Sequence, residues 1–383
     1  MHELEIILIL SLIGASYSYF IYPLLLLILP KKNNFNLDAS TLNQNALPYL
    51  TLIITAYNEE TRIKEKIKNT LELDYPLNKR EILVASDGST DNTNQFVQEY
   101  RDEGVKLIEV TDRKGKENAQ LAAIKKAHGD LLVFSDVATK IPKEALIRIA
   151  NTFENKDIGA LSSEDRFITD NGEIAGEGAY VRYEMWLRNL EAKVKSLVGL
   201  SGSFFACRKA ICKDWDIKVP SDFNTALNCV AQGYVAISHQ DVLGYYPNLK
   251  DESKEYQRKL RTVIRGMAAI SEKPSVLNPF KFGLFSFEVF SHKIMRWLVP
   301  WFQLILFITS IIMWQDNILI SLLLLAQILF YSIATLGAFS KRARKNSIVK
   351  IPFFFMQVNM AIAQASILFL TGRRITKWEP SKR

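Results

Sequence analysis

Cysteine is scarce in this 383-residue chain: Cys207, Cys212 and Cys229 are the whole complement, an odd number without the paired spacing of a metal site. A disulfide framework is not expected, and reduced structural thiols suit a cytosolic domain. The spacing of a phosphate-cradling P-loop is missing, and no GxGxxG lies near the first apolar strand, which argues against a dinucleotide fold. There is no internal repeat. No basic helix with interleaved aromatics stands out, so the net charge of +8 is not read as nucleic-acid binding. In four places the chain also lacks charge altogether.

Residues 6–29, 297–315, 317–340 and 351–372 contain no Asp, Glu, Lys or Arg, and at helical rise each is long enough to cross a hydrocarbon core. One such run would suit a buried core helix; four favour a membrane. The first starts acidic (Glu3, Glu5) and ends at Lys31-Lys32 with no small-residue cleavage site, so it reads as a retained anchor, not a signal peptide. Ionisable groups are almost absent from these runs, which argues against a transporter. Lys31-Lys32 and Lys341-Arg342-Ala343-Arg344-Lys345 lie just outside apolar runs, and the positive-inside rule puts them, with the middle of the chain, in the cytoplasm. Three later crossings would leave the tail outside, although its Arg373, Arg374, Lys377, Lys382 and Arg383 favour the inside. The expected layout is an anchor (1–30), a linker (31–48), a cytoplasmic domain (49–278), an interfacial helix (279–296), about three crossings (297–372) and a basic tail (373–383).

Within the middle region, short apolar runs at 50–55, 81–85, 106–110 and 130–134 predict strands. Between them, helices are predicted around Ile63, Ile67 and Leu71, over 92–101 and over 118–128. Such alternation implies right-handed βαβ units and an α/β fold with an open, mostly parallel sheet and helices on both faces. Further helices are predicted over 180–197, 221–232 and 256–270.

Ligands of such sheets bind at the carboxyl ends of the strands. Thr55-Ala56-Tyr57-Asn58-Glu59 ends the first strand, either as a turn with Asn58 capping the next helix or as a loop holding a base or ribose. Asp87-Gly88-Ser89-Thr90-Asp91 ends the second. It is turn-prone, with Ser89 or Asp91 able to cap, while Asp87 can accept from a base or ribose. Lys114-Gly115-Lys116 opens a helix in a manner that suits a phosphate. Asp136-Val137-Ala138 ends the fourth strand: Asp136 can serve a hard cation or a ribose, and Ala138 can do neither. Asp222 in Ser221-Asp222-Phe223 is either a helix cap or a general base. Arg258, Lys259, Arg261 and Arg265 put several cations on one helix, with Arg258 and Arg261 sharing a face that is either solvated or lipid-facing, or else clamps a diphosphate.

In this order the motifs resemble those of a membrane-bound family 2 glycosyltransferase of the GT-A nucleotide-diphospho-sugar transferase fold, of the bacterial exopolysaccharide or cell-surface glycan type, over about residues 48–270. The resemblance implies a donor site of Thr55, Ala56, Tyr57, Glu59, Asp87 (against the uracil), Lys116 and Asp136, with Arg258 and Arg261 where polymerising members carry QxxRW. It implies Asp136 as the first Asp of DxD, holding Mg²⁺ or Mn²⁺, and Asp222 as base. Gly202 and Ser203 fall in the small-residue loop near the acceptor. Four positions depart from the pattern: Ala138 for the second DxD carboxylate, Arg258 and Thr262 for the Gln and Trp of QxxRW, and Ser221 for the Glu beside the base. The implied activity is inverting transfer from a UDP-sugar to a lipid-linked or glycan acceptor at the cytoplasmic membrane face. A processive polysaccharide synthase and a non-catalytic homologue are the alternatives.

Overall fold

The computed structural model describes residues 2–33, 35, 46–168, 179–247 and 252–373. Seven strands form one sheet: β1 (Leu50–Ala56), β2 (Arg80–Asp87), β3 (Val105–Val110), β4 (Leu131–Asp136), β5 (Ile158–Ile168), β6 (Phe204–Arg208) and β7 (Val235–Pro247), in the order β3-β2-β1-β4-β6-β5-β7. β3, β2, β1 and β4 run parallel, as the βαβ pattern predicts. β1 is buried along its whole length between β2 and β4, so its sequence LTLIITA shows no polar alternation. The Ile63–Leu71 helix lays Ile63, Ile67 and Thr70 in the interior, together with Lys66. Asn58 does not cap it. That role falls to Arg62, while Asn58 takes a left-handed conformation (φ 50°) and its Oδ1 accepts the Thr90 amide at 2.8 Å.

The remaining strands are less regular. β6 runs antiparallel between β4 and β5, and β5 pairs parallel with β7 across two register shifts. The core gathers Phe134, Phe205 and Trp215, with Phe134 stacked on both others at 4.7 and 5.2 Å between centroids. All three cysteines are buried and free.

The chain divides into two compact units. One holds the sheet with its helices and, among described residues, spans 29–247 and 268–286; the other comprises 2–28, 252–267 and 287–373. In the second unit and the chain leading into it, four helices are long and apolar enough to cross a membrane: His2–Ile28, Leu284–Ile312, Ile318–Phe339 and Ser347–Leu370. The chain expected to be interfacial, 279–296, is a short turn of helix at Pro279–Phe282 and then the beginning of Leu284–Ile312. That earlier start brings Glu288 and Arg296 into a membrane-length helix. The buried Arg296 donates from Nε to Ser18 Oγ at 3.2 Å and lies over the Tyr19 ring.

Candidate active site

The parallel strands reverse their order between β1 and β4, and crevices at such switch points are where open sheets take ligands. Thr55 and Asp136 are register partners there. Thr55 Oγ1 is buried without a hydrogen-bond partner among the described residues. Ala56 ends β1 in the interior, and Tyr57 turns its ring under the Arg113 guanidinium, 3.9 Å from its centroid. Glu59 organises the turn: its amide donates to Thr93 Oγ1 at 2.8 Å and its carboxylate meets Arg62 at 2.8 Å. Burial raises the Glu59 pKa, and Arg62 opposes the shift.

Asp87 is 1 % exposed at the end of β2. It accepts the amides of Lys114 (3.1 Å) and Gly115 (3.0 Å to Oδ2), tying the loop after β3 to the sheet. Burial pushes its carboxyl above the usual range, against those amides and Arg113. Pinning that loop fixes where the Lys116–Lys126 helix begins. Lys116 Nζ donates to Asp136 Oδ1 at 2.5 Å and to the Gly202 carbonyl at 2.7 Å. The Asp136 amide donates to Ser203 O at 2.9 Å.

Asp222 stands in the first turn of the Ser221–Ala231 helix, where Pro220 is the N-cap and no side chain caps. The carboxylate is therefore not consumed by capping. A methyl group built on Gly202 would lie 3.1 Å from Asp222 Oδ2, so the glycine lets the two meet. The helix is braced from behind by Lys273, whose ammonium donates to Asn224 Oδ1 at 2.5 Å and to Asn228 Oδ1. Lys116, Asp136, Gly202, Ser203 and Asp222 thus converge, together with the β1 and β2 ends. Arg258 and Arg261, on the Glu252–Glu272 helix, belong to the other compact unit, both partly buried.

Lys66 was not anticipated. It is fully buried and donates to Ser135 Oγ (2.8 Å) and Thr139 O (2.6 Å), holding the loop on both sides of Asp136. Burial depresses its pKa to about 7, with Asp136 opposing. Its signal was a lysine on the apolar stripe of a helix. Arg113 was missed beside the lysines that drew attention, because its partner Tyr57 is remote in sequence.

Residues 51–215 match the family model for glycosyl transferase family 2. Over that stretch, 51–215, the chain carries a family 2 glycosyl transferase domain. The poly-beta-1,6-N-acetyl-D-glucosamine synthase of Staphylococcus epidermidis is 26 % identical over 216 residues, covering 54 % of this chain and 49 % of that protein. The same enzyme from Staphylococcus aureus strain COL is 26 % identical over 214 residues, with the same coverage. The chain spans about half the length of these curated relatives. The mannosyltransferase PcManGT from Pyrobaculum calidifontis, solved in complex with GDP-Man and Mn²⁺, superposes with a TM-score of 0.69 at 22 % identity, covering 96 % of this chain and 99 % of that one. The family 2 domain has the GT-A fold.

Proposed function

We propose that this chain is an inverting glycosyltransferase. It moves a sugar from a UDP-sugar to a lipid-linked or saccharide acceptor at the cytoplasmic face of the cell membrane, in cell-surface polysaccharide or glycoconjugate synthesis. The observation that carries this reading is Gly202: its carbonyl holds Lys116 at 2.7 Å while its backbone lies against Asp222. A cation for the leaving diphosphate and a carboxylate for the acceptor are thereby joined through one residue. The Tyr57–Arg113 pair and the Asp87-pinned loop are assigned to the nucleoside.

In the reaction, Asp222 takes the proton of an acceptor hydroxyl as its oxygen bonds to C1 of the sugar. The bond from C1 to the diphosphate breaks on the opposite face, and the nucleoside diphosphate departs with the electron pair. A general base of this kind contributes roughly 10²–10⁴-fold. Lys116 meets the negative charge gathering on the diphosphate.

Among the described residues, no group of three His, Cys, Asp or Glu side chains could hold a metal ion. A hard cation needs less: one carboxylate, with diphosphate oxygens and water for the rest. Asp136, partly exposed at the end of β4, fits Mg²⁺ or Mn²⁺ on those terms. When bound, such a cation neutralises charge on the departing diphosphate. The four apolar helices are proposed to anchor the domain beside its acceptor, with Lys341–Lys345 cytoplasmic. The relatives' name favours a second reading, a processive synthase of an N-acetylglucosamine polymer. Arg258 and Thr262, where polymerising members carry Gln and Trp, favour single transfer.

The test uses membranes incubated with a panel of radiolabelled UDP-sugars, followed by lipid extraction and product sizing. Asp222→Asn is expected to lose transfer at least 10²-fold while binding UDP normally in titrations with and without Mn²⁺. Near-normal turnover in that variant would overturn the base assignment.

A further inference from the structure

The loop that joins Lys116, Asp136 and Asp222 is held from behind by a strand that the sequence did not reveal. On β5, Ser162 Oγ accepts the Ser201 amide at 2.8 Å and Arg188 Nη2 at 2.6 Å. Arg188 Nη2 also reaches Gly199 O at 3.3 Å. Ser163 Oγ donates to Phe204 O at 2.7 Å, closing the other end of the loop. Between these ties lies Asp165, whose Oδ1 accepts the hydroxyls of Ser201 at 2.6 Å and of Tyr246, on β7, at 2.8 Å.

Hydroxyls donating to a carboxylate make short, charge-assisted bonds, about twice as strong as neutral ones. Tyr246 is fully buried, and burial with Asp165 beside it pushes the phenol well above its usual range, so it stays a donor. One donor from the loop ahead of β6 and one from β7 fix one carboxylate oxygen, and that oxygen fixes Ser201. The next residue supplies the Lys116 acceptor and the Asp222 neighbour; the one after supplies the acceptor for the Asp136 amide. A displacement of 1 Å at a reacting group costs about 10²-fold in rate.

We propose that Asp165, acting with Tyr246 through Ser201, is a positioning residue for the transfer step, setting the Gly202–Ser203 backbone against Lys116, Asp136 and Asp222. Ser162 and Arg188 hold the loop in place; Asp165 sets its exact register. The inference rests on the assignment of Lys116, Asp136 and Asp222 proposed above.

The experiment measures turnover with the UDP-sugar that the panel identifies, alongside UDP titration, for Asp165→Ala, Ser201→Ala, Tyr246→Phe and the double variant Asp165→Ala/Ser201→Ala. Turnover is expected to fall about 10²-fold in Asp165→Ala and about tenfold in Ser201→Ala, with the UDP dissociation constant changing less than about twofold. The double variant is expected to be no slower than Asp165→Ala, because both changes cut one link. Unchanged turnover in Ser201→Ala, additive losses in the double variant, or parallel loss of UDP binding would overturn the proposal. Should Asp165→Ala fail to fold, Ser201→Ala and Tyr246→Phe still decide it. Asp222→Asn, run in parallel, reports on the base assignment alone, so a failure of that assignment is distinguishable from a failure of the positioning role.

Discussion

At the scale of single residues, this site depends on an absent side chain as much as on its charges. Gly202 has ordinary backbone demands, but a β-carbon there would press on the Asp222 carboxylate at 3.1 Å, close enough that the carboxylate must shift by a few tenths of an ångström. Gly202→Ala is therefore expected to lower turnover about tenfold, as a sub-ångström displacement should, while leaving UDP binding and the melting temperature near those of the parent. Turnover assays and thermal unfolding in detergent check this. Asp87 and Asp222 were both legible as chemistry or as local structure. Asp87 is engaged by two backbone amides and so builds the loop that leads to Lys116. For Asp222, the Pro220 N-cap removes the capping role and leaves the carboxylate available.

At the scale of elements, the four parallel strands were legible because each is a short segment of strand character centred on apolar residues, and helical segments separate them. β1 and β4 meet so closely that Gly129, just ahead of β4, has no room for a methyl group: its β-carbon would sit 2.4 Å from the Thr51 amide nitrogen. Because that obstacle is backbone, Gly129→Ala is expected to destabilise the domain by about 1–3 kcal/mol, measurable by chemical denaturation, with residual activity per folded molecule unchanged. β5, β6 and β7 were not legible. β5 reads IGALSSEDRFI, in which Ser162, Ser163 and Asp165 look like loop residues, and β6 is inserted between strands far from it in sequence. Those polar side chains belong to the strand because Ser201, Phe204 and Tyr246 satisfy them.

At the scale of the whole molecule, one buried cation links stability to pH. Lys66 has a folded pKa of about 7 against an ordinary 10.5. Between those values the unfolded chain binds a proton that the folded chain lacks, so stability from this group rises with pH. Its contribution is complete above about 10.5 and is lost as pH falls towards 7. Relative to the parent, Lys66→Met is expected to show a flatter dependence of unfolding temperature on pH across that window, whatever its absolute stability; a parallel curve would contradict the assignment.

The apolar runs and the strand–helix alternation needed only local pattern, so composition and period alone determined four membrane-length helices and a mostly parallel α/β sheet. The order of Thr55, Asp87, Lys116, Asp136 and Asp222 along the chain also pointed to their chemistry before any coordinate. What the tertiary structure decided was convergence. Lys116 and Gly202 are 86 positions apart and Asp165 and Tyr246 are 81 apart. Hydrogen bonds of 2.7–2.8 Å between such positions come from the sheet order, which sequence period does not encode.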